Sequence, residues 1–171
     1  YTVKETGAPS GYNVNLQDTG DKQQTIQIVG GKTTEKTFYN RQYGNLTVTK
    51  HDQDTGSTQL NGIPLKDIQF KLYVIKNGQK EYLQNTSPTK YSYDDFNVGE
   101  SNKASAKTFT TNANAQFTVS NLPVYTGSTQ ITYYVEEYAL PTELQEYYDI
   151  KTSADSIKIV NGKTTNLTVN N

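Results

Sequence analysis

The 171-residue sequence contains no cysteine and only one histidine. The absence of cysteine excludes disulfide bonds and cysteine nucleophiles, so an extracellular domain of this kind needs another source of stability. Nothing around His51 completes a Ser–His–Asp set, which leaves a hydrolytic enzyme without support. No apolar run of about 18 residues occurs and no signal peptide is visible, so we expect a soluble piece of a longer protein. A net charge of -1 gives no reason to expect a nucleic acid or an anionic membrane as partner.

The residues that are abundant favour strands. Tyrosine occurs 14 times, and short alternating segments are separated by turn residues. Lys76–Gln79 has the sequence of a hairpin turn, and residues 84–105 are predicted to be a long surface loop with a short helix around Tyr91–Phe96. The predicted strands are 46–50, 68–74, 108–110, 116–119, 131–137, 157–160 and 166–171. Seven or so strands with frequent turns predict an all-β chain folded as a β-sandwich.

Three polar side chains lie on strand faces that should be apolar. Because strand side chains alternate, Lys50 shares the face of Leu46 and Val48, while Glu137 and Asn171 each continue the apolar face of their own strand. An isolated buried charge costs several kcal/mol or more, so such groups must pair, become neutral or react. A lysine, an acid and an amide that all face inward are the set needed for a Lys–Asn isopeptide bond.

Neighbouring residues offer rival assignments. Asn170 is the rival amide and Glu136 the rival acid, but strand parity directs both toward solvent. A plain salt bridge between Lys50 and Glu137 remains an alternative if the amide lies elsewhere. Lys50 taken alone would be read as a strand-end lysine that extends to solvent.

An internal repeat divides the chain. Residues 1–40 resemble residues 133–171, with Glu5 on Glu137 and, after a one-residue deletion, Asn40 on Asn171. Such self-similarity predicts two copies of one module. Residues 44–171 are predicted to be a complete module, and residues 1–40 the C-terminal part of another, without a lysine strand. The junction at residues 41–43 is too short for a flexible linker, so two modules would stack as a stiff rod.

The order of the motifs resembles the collagen-adhesin B-type (Cna B-type) domain of Gram-positive pilins and surface adhesins. The resemblance is carried by five segments: Leu46-Thr-Val-Thr-Lys50, Leu60-Asn-Gly-Ile-Pro-Leu65, Phe70-Lys-Leu-Tyr73, Phe117-Thr-Val-Ser-Asn-Leu-Pro123 and Tyr133-x-Val-x-Glu137. Residues 1–12 carry a closer version of the family's acidic box, Tyr1-Thr-Val-Lys-Glu5-Thr-Gly-Ala-Pro9-Ser-Gly11-Tyr12. One departure is that the Gly-Tyr following Pro9 has no counterpart after Pro141.

The resemblance implies a fold and a reaction. The fold would be an immunoglobulin-like (prealbumin-like) β-sandwich, and the reaction a spontaneous bond between Lys50 and Asn171 catalysed by Glu137. Glu5 and Asn40 would be the matching pair of the truncated module. Burial would favour the neutral amine of Lys50 and the protonated carboxyl of Glu137. The reaction needs no cofactor or metal and modifies the protein once, so the chain is not predicted to be an enzyme.

The implied role is a structural stalk module on the extracellular, cell-wall-anchored surface, with adjacent modules of the same protein or pilus as partners. The alternative is an adhesin module in which Tyr91, Tyr93 and Phe96 of the 84–105 loop bind a host matrix or cell-surface protein. A metal at His51, Asp52 and Asp54 is a third possibility, but a solvated turn explains those residues better.

Overall fold

The computed structural model describes residues 1–13, 23–38 and 40–171. Within these ranges no helix has the length and apolar character needed to cross a membrane. The described residues include three short 3-10 helices, at Tyr93–Asp95, Glu100–Ser105 and Thr142–Leu144. The strands are β1 Thr2–Lys4, β2 Tyr12–Asn13, β3 Gln23–Thr25, β4 Arg41–Gln42, β5 Gly44–His51, β6 Gln59–Leu60, β7 Ile63–Pro64, β8 Gln69–Lys76, β9 Gln79–Leu83, β10 Phe96–Gly99, β11 Phe109–Thr110, β12 Gln116–Leu122, β13 Tyr125–Thr126, β14 Thr129–Gln130, β15 Thr132–Ala139, β16 Asp155–Lys158 and β17 Thr164–Asn170.

Two sheets face each other across the main core. The larger has the order β10-β9-β8-β15-β16 with β11 beside β8, and the smaller has the order β12-β5-β17. Most neighbours are antiparallel, but β5 and β17 run parallel. The rings of Phe70 on one sheet and Phe117 on the other lie 5.3 Å apart. The predicted all-β sandwich is confirmed.

Strand β5 lies at the centre of the smaller sheet and alternates between buried and half-buried positions at every residue. Leu46, Val48 and Lys50 all face the core with no exposed surface. A side chain at Gly44 would begin 2.3 Å from Ile159 Cγ2 and 2.8 Å from the Val160 carbonyl oxygen, so only glycine fits this approach. The strand therefore enters the sandwich in a fixed register, with Lys50 on the inward face.

The predicted hairpin between β8 and β9 is confirmed. Lys76 pairs with Gln79, and the two residues between them, Asn77 and Gly78, have φ of 51° and 77°. Two consecutive positive φ values define the type I′ turn, which matches the twist of the strands that it joins.

The prediction for residues 84–105 was wrong in part. Phe96–Gly99 forms the edge strand β10 beside β9, and Phe96 and Tyr91 are buried in the main core. The polar composition of this segment predicts exposed aromatic side chains, whereas Tyr91 and Phe96 pack into the core because burying them removes much apolar surface from water. Tyr91 and Phe96 are consequently not available as the exposed contact residues of a host-binding loop.

The face of the larger sheet that carries Glu136 is covered, so the prediction that Glu136 faces solvent was wrong. Five of the eight residues of β8, at positions 70–74, are buried, so the strand is covered on both faces there. A second, smaller core of Tyr73, Tyr82 and Ala106 lies beside the 3-10 helix Glu100–Ser105. Lys71 on this face is buried and donates hydrogen bonds to the Ala106 carbonyl oxygen at 2.6 Å and the Thr108 hydroxyl at 2.8 Å. Strand parity gives the face of a side chain, but a covering loop decides its exposure.

The junction is held by residues on both of its sides. Strand β4 pairs with β2 of the N-terminal segment, and the Tyr43 amide donates to the Gly11 carbonyl at 3.2 Å. The Gly162 amide donates in turn to the Tyr43 carbonyl at 3.1 Å. These contacts support the expectation that the connection is stiff.

A candidate cross-linking site

Lys50 is the central side chain of the site. It is fully buried, and its Nζ donates to the His51 carbonyl oxygen at 2.8 Å. An ammonium group has three protons to donate, and the His51 carbonyl accepts one of them. This environment therefore suits the neutral amine better than the ammonium. Burial lowers the pKa of Lys50 to about 8, although the nearby Glu137 carboxylate partly opposes the shift. At neutral pH the neutral, nucleophilic amine is therefore still the minority form, but it is far more abundant than for a lysine with the ordinary pKa.

Glu137 and Asn171 meet beside this amine. Asn171 Nδ2 donates to Glu137 Oε2 at 2.7 Å, and the Lys151 backbone amide donates to the same oxygen at 2.7 Å. In the parallel pairing of β5 and β17, Val169 lies opposite Lys50, two residues before Asn171. The structure thus brings the side chains of all three predicted residues to one end of the core.

Two buried oxygen atoms at this site have no hydrogen-bond partner: Glu137 Oε1 and Asn171 Oδ1. Leaving a buried polar atom unpaired costs about 1–3 kcal/mol, so such atoms are rare and call for an explanation. Both are acceptors when the carboxyl is ionised. A proton on Glu137 would turn one acceptor into a donor, which is the state that acid catalysis at the amide requires.

Residues 148–151 cover the site. Tyr148 places its ring 5.5 Å from Lys50 Nζ, and the Asp149 carbonyl accepts from Asn171 Nδ2 at 3.3 Å. Together with the Lys151 amide on Glu137, this segment touches each of the three site residues. It orients the acid and the amide, and it shields the amine from water.

Asp52 holds this covering segment in place. Its carboxylate accepts from the Tyr148 hydroxyl and from the Thr55 amide and hydroxyl at 2.8 and 2.7 Å. These hydrogen bonds, the Thr55 hydroxyl first, lower the pKa of Asp52 to about 2, while burial and Asp52 raise the pKa of Tyr148. The sequence presents Asp52 only as a possible metal ligand or a residue of a solvated turn, whereas it is buried, and it gives no indication of Tyr148. Asp52 could have been noticed as the acid just after the lysine strand, but no periodicity singles out Tyr148.

The rival residues lie elsewhere. Asn170 is exposed. Glu136 points to the opposite face of the sheet, where it is buried and accepts from Lys103 at 2.6 Å and from Lys80 at 3.0 Å. Burial opposes its ionisation, but these hydrogen bonds outweigh that effect and lower the pKa of Glu136. The ion pairs found among the described residues do not include one between Lys50 and Glu137.

The N-terminal segment contains a second glutamate–asparagine pair. Asn40 Nδ2 donates to Glu5 Oε1 at 2.9 Å, which is close to the distance in the pair formed by Glu137 and Asn171. Asn40 Oδ1 is buried without a partner, as Asn171 Oδ1 is. Among the residues placed by the structure, no cluster of three or more histidine, aspartate or glutamate residues could hold a metal ion.

Several solved structures of Gram-positive surface proteins resemble this chain. The group B streptococcus pilus 2b backbone protein is 18% identical with a TM-score of 0.51, and the match covers 98% of this chain and 51% of that chain. The streptococcal ancillary pilin is 22% identical with a TM-score of 0.46, and the match covers 98% of this chain and 40% of that chain. The shaft pilin SpaA of Lactobacillus rhamnosus GG is 18% identical with a TM-score of 0.46, and the match covers 77% of this chain and 47% of that chain.

The likeness to the pilus 2b backbone protein confirms the fold that the resemblance to collagen-adhesin B-type domains implied. At this identity the likeness is one of fold. The chain spans about half or less of the length of each of the three pilins. No family model matches the chain, and no curated protein matches it.

Proposed function

We propose that this chain is a structural stalk segment of a Gram-positive pilin or surface adhesin, and that Lys50 and Asn171 join in an isopeptide bond catalysed by Glu137. The observation that carries the proposal is the hydrogen bond of 2.7 Å between the Glu137 carboxyl and the Asn171 amide, beside a fully buried lysine. The role on the cell surface, with adjacent modules as partners, is supported by the fold shared with a pilus backbone protein.

The proposed reaction uses only side chains of this chain. Neutral Lys50 Nζ attacks Asn171 Cγ while Glu137 donates a proton to the amide oxygen, giving a tetrahedral carbon. Glu137 then passes a proton from the attacking nitrogen to Asn171 Nδ2. The Cγ–Nδ2 bond breaks, ammonia leaves, and the hydroxyl proton returns to Glu137 as the carbonyl re-forms. One C–N bond forms, one breaks, and the carboxyl is regenerated. Holding the partners in contact supplies an effective concentration on the order of 10⁵–10⁸ M for well-oriented groups.

The parallel pairing of β5 and β17 explains what such a bond would do under tension. A force applied through the chain enters at Gly44 and leaves after Asn171. A bond from Lys50 to Asn171 would carry this force along residues 44–50 and then directly through the bond to Asn171. Residues 51–170 would therefore not be stretched. Pulling a single module should give almost no extension before rupture, and a long unfolding step would contradict the proposal.

Intact mass is the decisive measurement. If the bond forms, the folded protein weighs less than its sequence by one ammonia. The full mass is expected for Lys50→Ala, which removes the nucleophile, and for Glu137→Ala, which removes the proton donor. A full sequence mass for the unsubstituted folded protein would refute the proposed bond.

Two matched controls test the assignment. Lys71 is also buried, yet it lies on the opposite face of the larger sheet with its own hydrogen-bond acceptors. Lys71→Met should therefore keep the ammonia deficit, and so should Asn170→Ala, since Asn170 is exposed. Loss of the deficit in Asn170→Ala, with Asn171→Ala unaffected, would move the bond to the neighbouring residue.

A further inference from the structure

The turn that follows the lysine strand is built around Asp52. Its carboxylate Oδ1 accepts hydrogen bonds from the amide and the hydroxyl of Thr55, at 2.8 and 2.7 Å. The backbone closes the same turn, because the Asp52 amide donates to the Ser57 carbonyl at 2.8 Å and the Gly56 amide donates to the Asp52 carbonyl at 2.9 Å. The side chain and the backbone of one residue therefore fix the shape of this turn.

The residues on either side of Asp52 hold the backbone of the asparagine. The Gln53 amide donates to the Asn171 carbonyl at 2.7 Å, and the Asn171 amide donates to the His51 carbonyl at 3.3 Å. The same His51 carbonyl accepts from Lys50 Nζ at 2.8 Å, so one peptide group contacts both partners of the proposed reaction. The position of the amide carbon relative to the amine therefore depends on the backbone around Asp52.

The other carboxylate oxygen of Asp52 reaches the segment that covers the site. Oδ2 accepts from the Tyr148 hydroxyl, and the carbonyl of the next residue, Asp149, accepts from Asn171 Nδ2 at 3.3 Å. Asp52 thus connects the turn that holds the Asn171 backbone with the segment that contacts the Asn171 amide.

The charge of Asp52 also acts on the amine. Burial is the main influence on the pKa of Lys50 and lowers it. The charged groups that act on this pKa are, from the largest effect to the smallest, Glu137, Lys151, Asp52 and Asp155. The Asp52 carboxylate favours the ammonium form. An asparagine at position 52 would remove this charge and keep an oxygen that accepts from Thr55, so the two influences of Asp52 can be separated.

We propose that Asp52 is a positioning residue for the proposed cross-link: its carboxylate holds together the turn that carries the Asn171 backbone and the segment that covers Lys50. The inference rests on the proposed function and adds to it a residue that takes part in no bond made or broken. Loss of the carboxylate should slow the release of ammonia without abolishing it, because Lys50, Glu137 and Asn171 all remain.

The test measures how fast the unlinked chain loses ammonia. Full-length chains from a short cell-free synthesis are transferred to urea before they react, and the full-mass protein is purified. It is then diluted into buffers from mildly acidic to mildly basic pH. Intact mass gives the extent of reaction over time, and far-ultraviolet circular dichroism gives the rate of folding in the same samples.

Three variants give distinct expectations. Asp52→Ala should slow ammonia loss by up to about 100-fold, since small displacements of reacting groups have effects of that size. Asp52→Asn should recover most of the rate, and its pH profile should shift to lower pH because the amine loses a neighbouring negative charge. Asp54→Ala is the control, because Asp54 is exposed in the same turn, and it should keep the rate and the profile of the unsubstituted protein.

The outcomes separate this inference from the proposed function. If the unsubstituted protein never loses ammonia, the proposed cross-link fails and the role of Asp52 fails with it. If it does, and Asp52→Ala reacts as fast as Asp54→Ala, only the role of Asp52 is overturned. A slower reaction that merely follows slower folding would overturn it too. Should Asp52→Ala not fold, an unchanged pH profile in Asp52→Asn would decide against the inference.

Discussion

The described parts of residues 1–40 share their strand pairing with residues 133–171 but differ from them in burial. Tyr1 is 84% exposed whereas its counterpart Tyr133 is fully buried, and Ile28 is 52% exposed whereas Ile159 is fully buried. Both copies form the same strand pairs and the same glutamate–asparagine hydrogen bond. Local sequence is therefore sufficient for the pairing. Burial, and the chemistry that depends on it, requires the strands that only residues 44–132 supply.

The largest difference between the copies should follow from the cross-link. Glu137→Gln should prevent the bond and lower the free energy of unfolding by about 4–5 kcal/mol, by analogy with a disulfide that closes a loop of about 100 residues. Glu5→Gln, the matched change in the other copy, should leave that free energy nearly unchanged. Chemical denaturation of both variants measures the difference, and equal losses would contradict the comparison.

Removing equivalent tyrosine rings should lower the free energy of unfolding by very different amounts in the two copies. Tyr133→Ala removes a fully buried ring and should cost about 3–5 kcal/mol, the range for large aromatic residues in cores. Tyr1→Ala removes an exposed ring and should stay within about 0.5 kcal/mol of the unsubstituted protein. Thermal unfolding checks both values. A large loss at Tyr1 would mean that the N-terminal copy has a core of its own.

The segment over the reaction site should contribute through its link to Asp52. Tyr148→Phe keeps the ring over Lys50 but removes the hydrogen bond to the Asp52 carboxylate, so it should lower the free energy of unfolding. Tyr147→Phe is the control, because Tyr147 is half exposed. Urea denaturation gives the free energies. Identical values for the two variants would show that the hydroxyl of Tyr148 does not hold this segment.

Lys50 has no counterpart in the N-terminal copy. When it is not cross-linked, it should make the free energy of unfolding depend on pH, which is the smallest of the expected effects. In Asn171→Ala the amine stays unlinked, with a folded pKa of about 8 against an ordinary value of 10.5. The unfolded chain then binds more protons between pH 8 and 10.5, so stability should rise with pH across that window and be flat below it. Allowing for solvent screening, the rise should be about 1–2 kcal/mol.

The control for this effect is Asn171→Ala combined with Lys50→Met. It replaces the amine with an apolar side chain of similar length and should abolish the rise. Stability curves for both proteins at several pH values provide the measurement. If the rise persists without Lys50, another group titrates in that window and the amine is not the source.

Much of the fold follows from patterns that the chain carries locally. Alternation in β5 predicted the inward face of Lys50, and Asn77-Gly78 predicted the hairpin, because both depend on neighbours in sequence. The prediction failed for Phe96 and Glu136. Their exposure depends on which loop folds over the sheet, and the loop that covers Glu136 comes from residues 100–106, far from it in sequence.

In the candidate site, too, some features follow from consecutive residues and others only from tertiary contacts. The sequence by itself placed Lys50, Glu137 and Asn171 on inward faces, because strand parity is a property of consecutive residues. Only the tertiary structure decided that Tyr148 covers the amine, that Asp52 holds Tyr148, and that the amide meets the acid at 2.7 Å. These contacts join residues distant in the chain. They arise when two sheets pack, and the burial that the same packing creates is what turns an ordinary lysine into a candidate nucleophile.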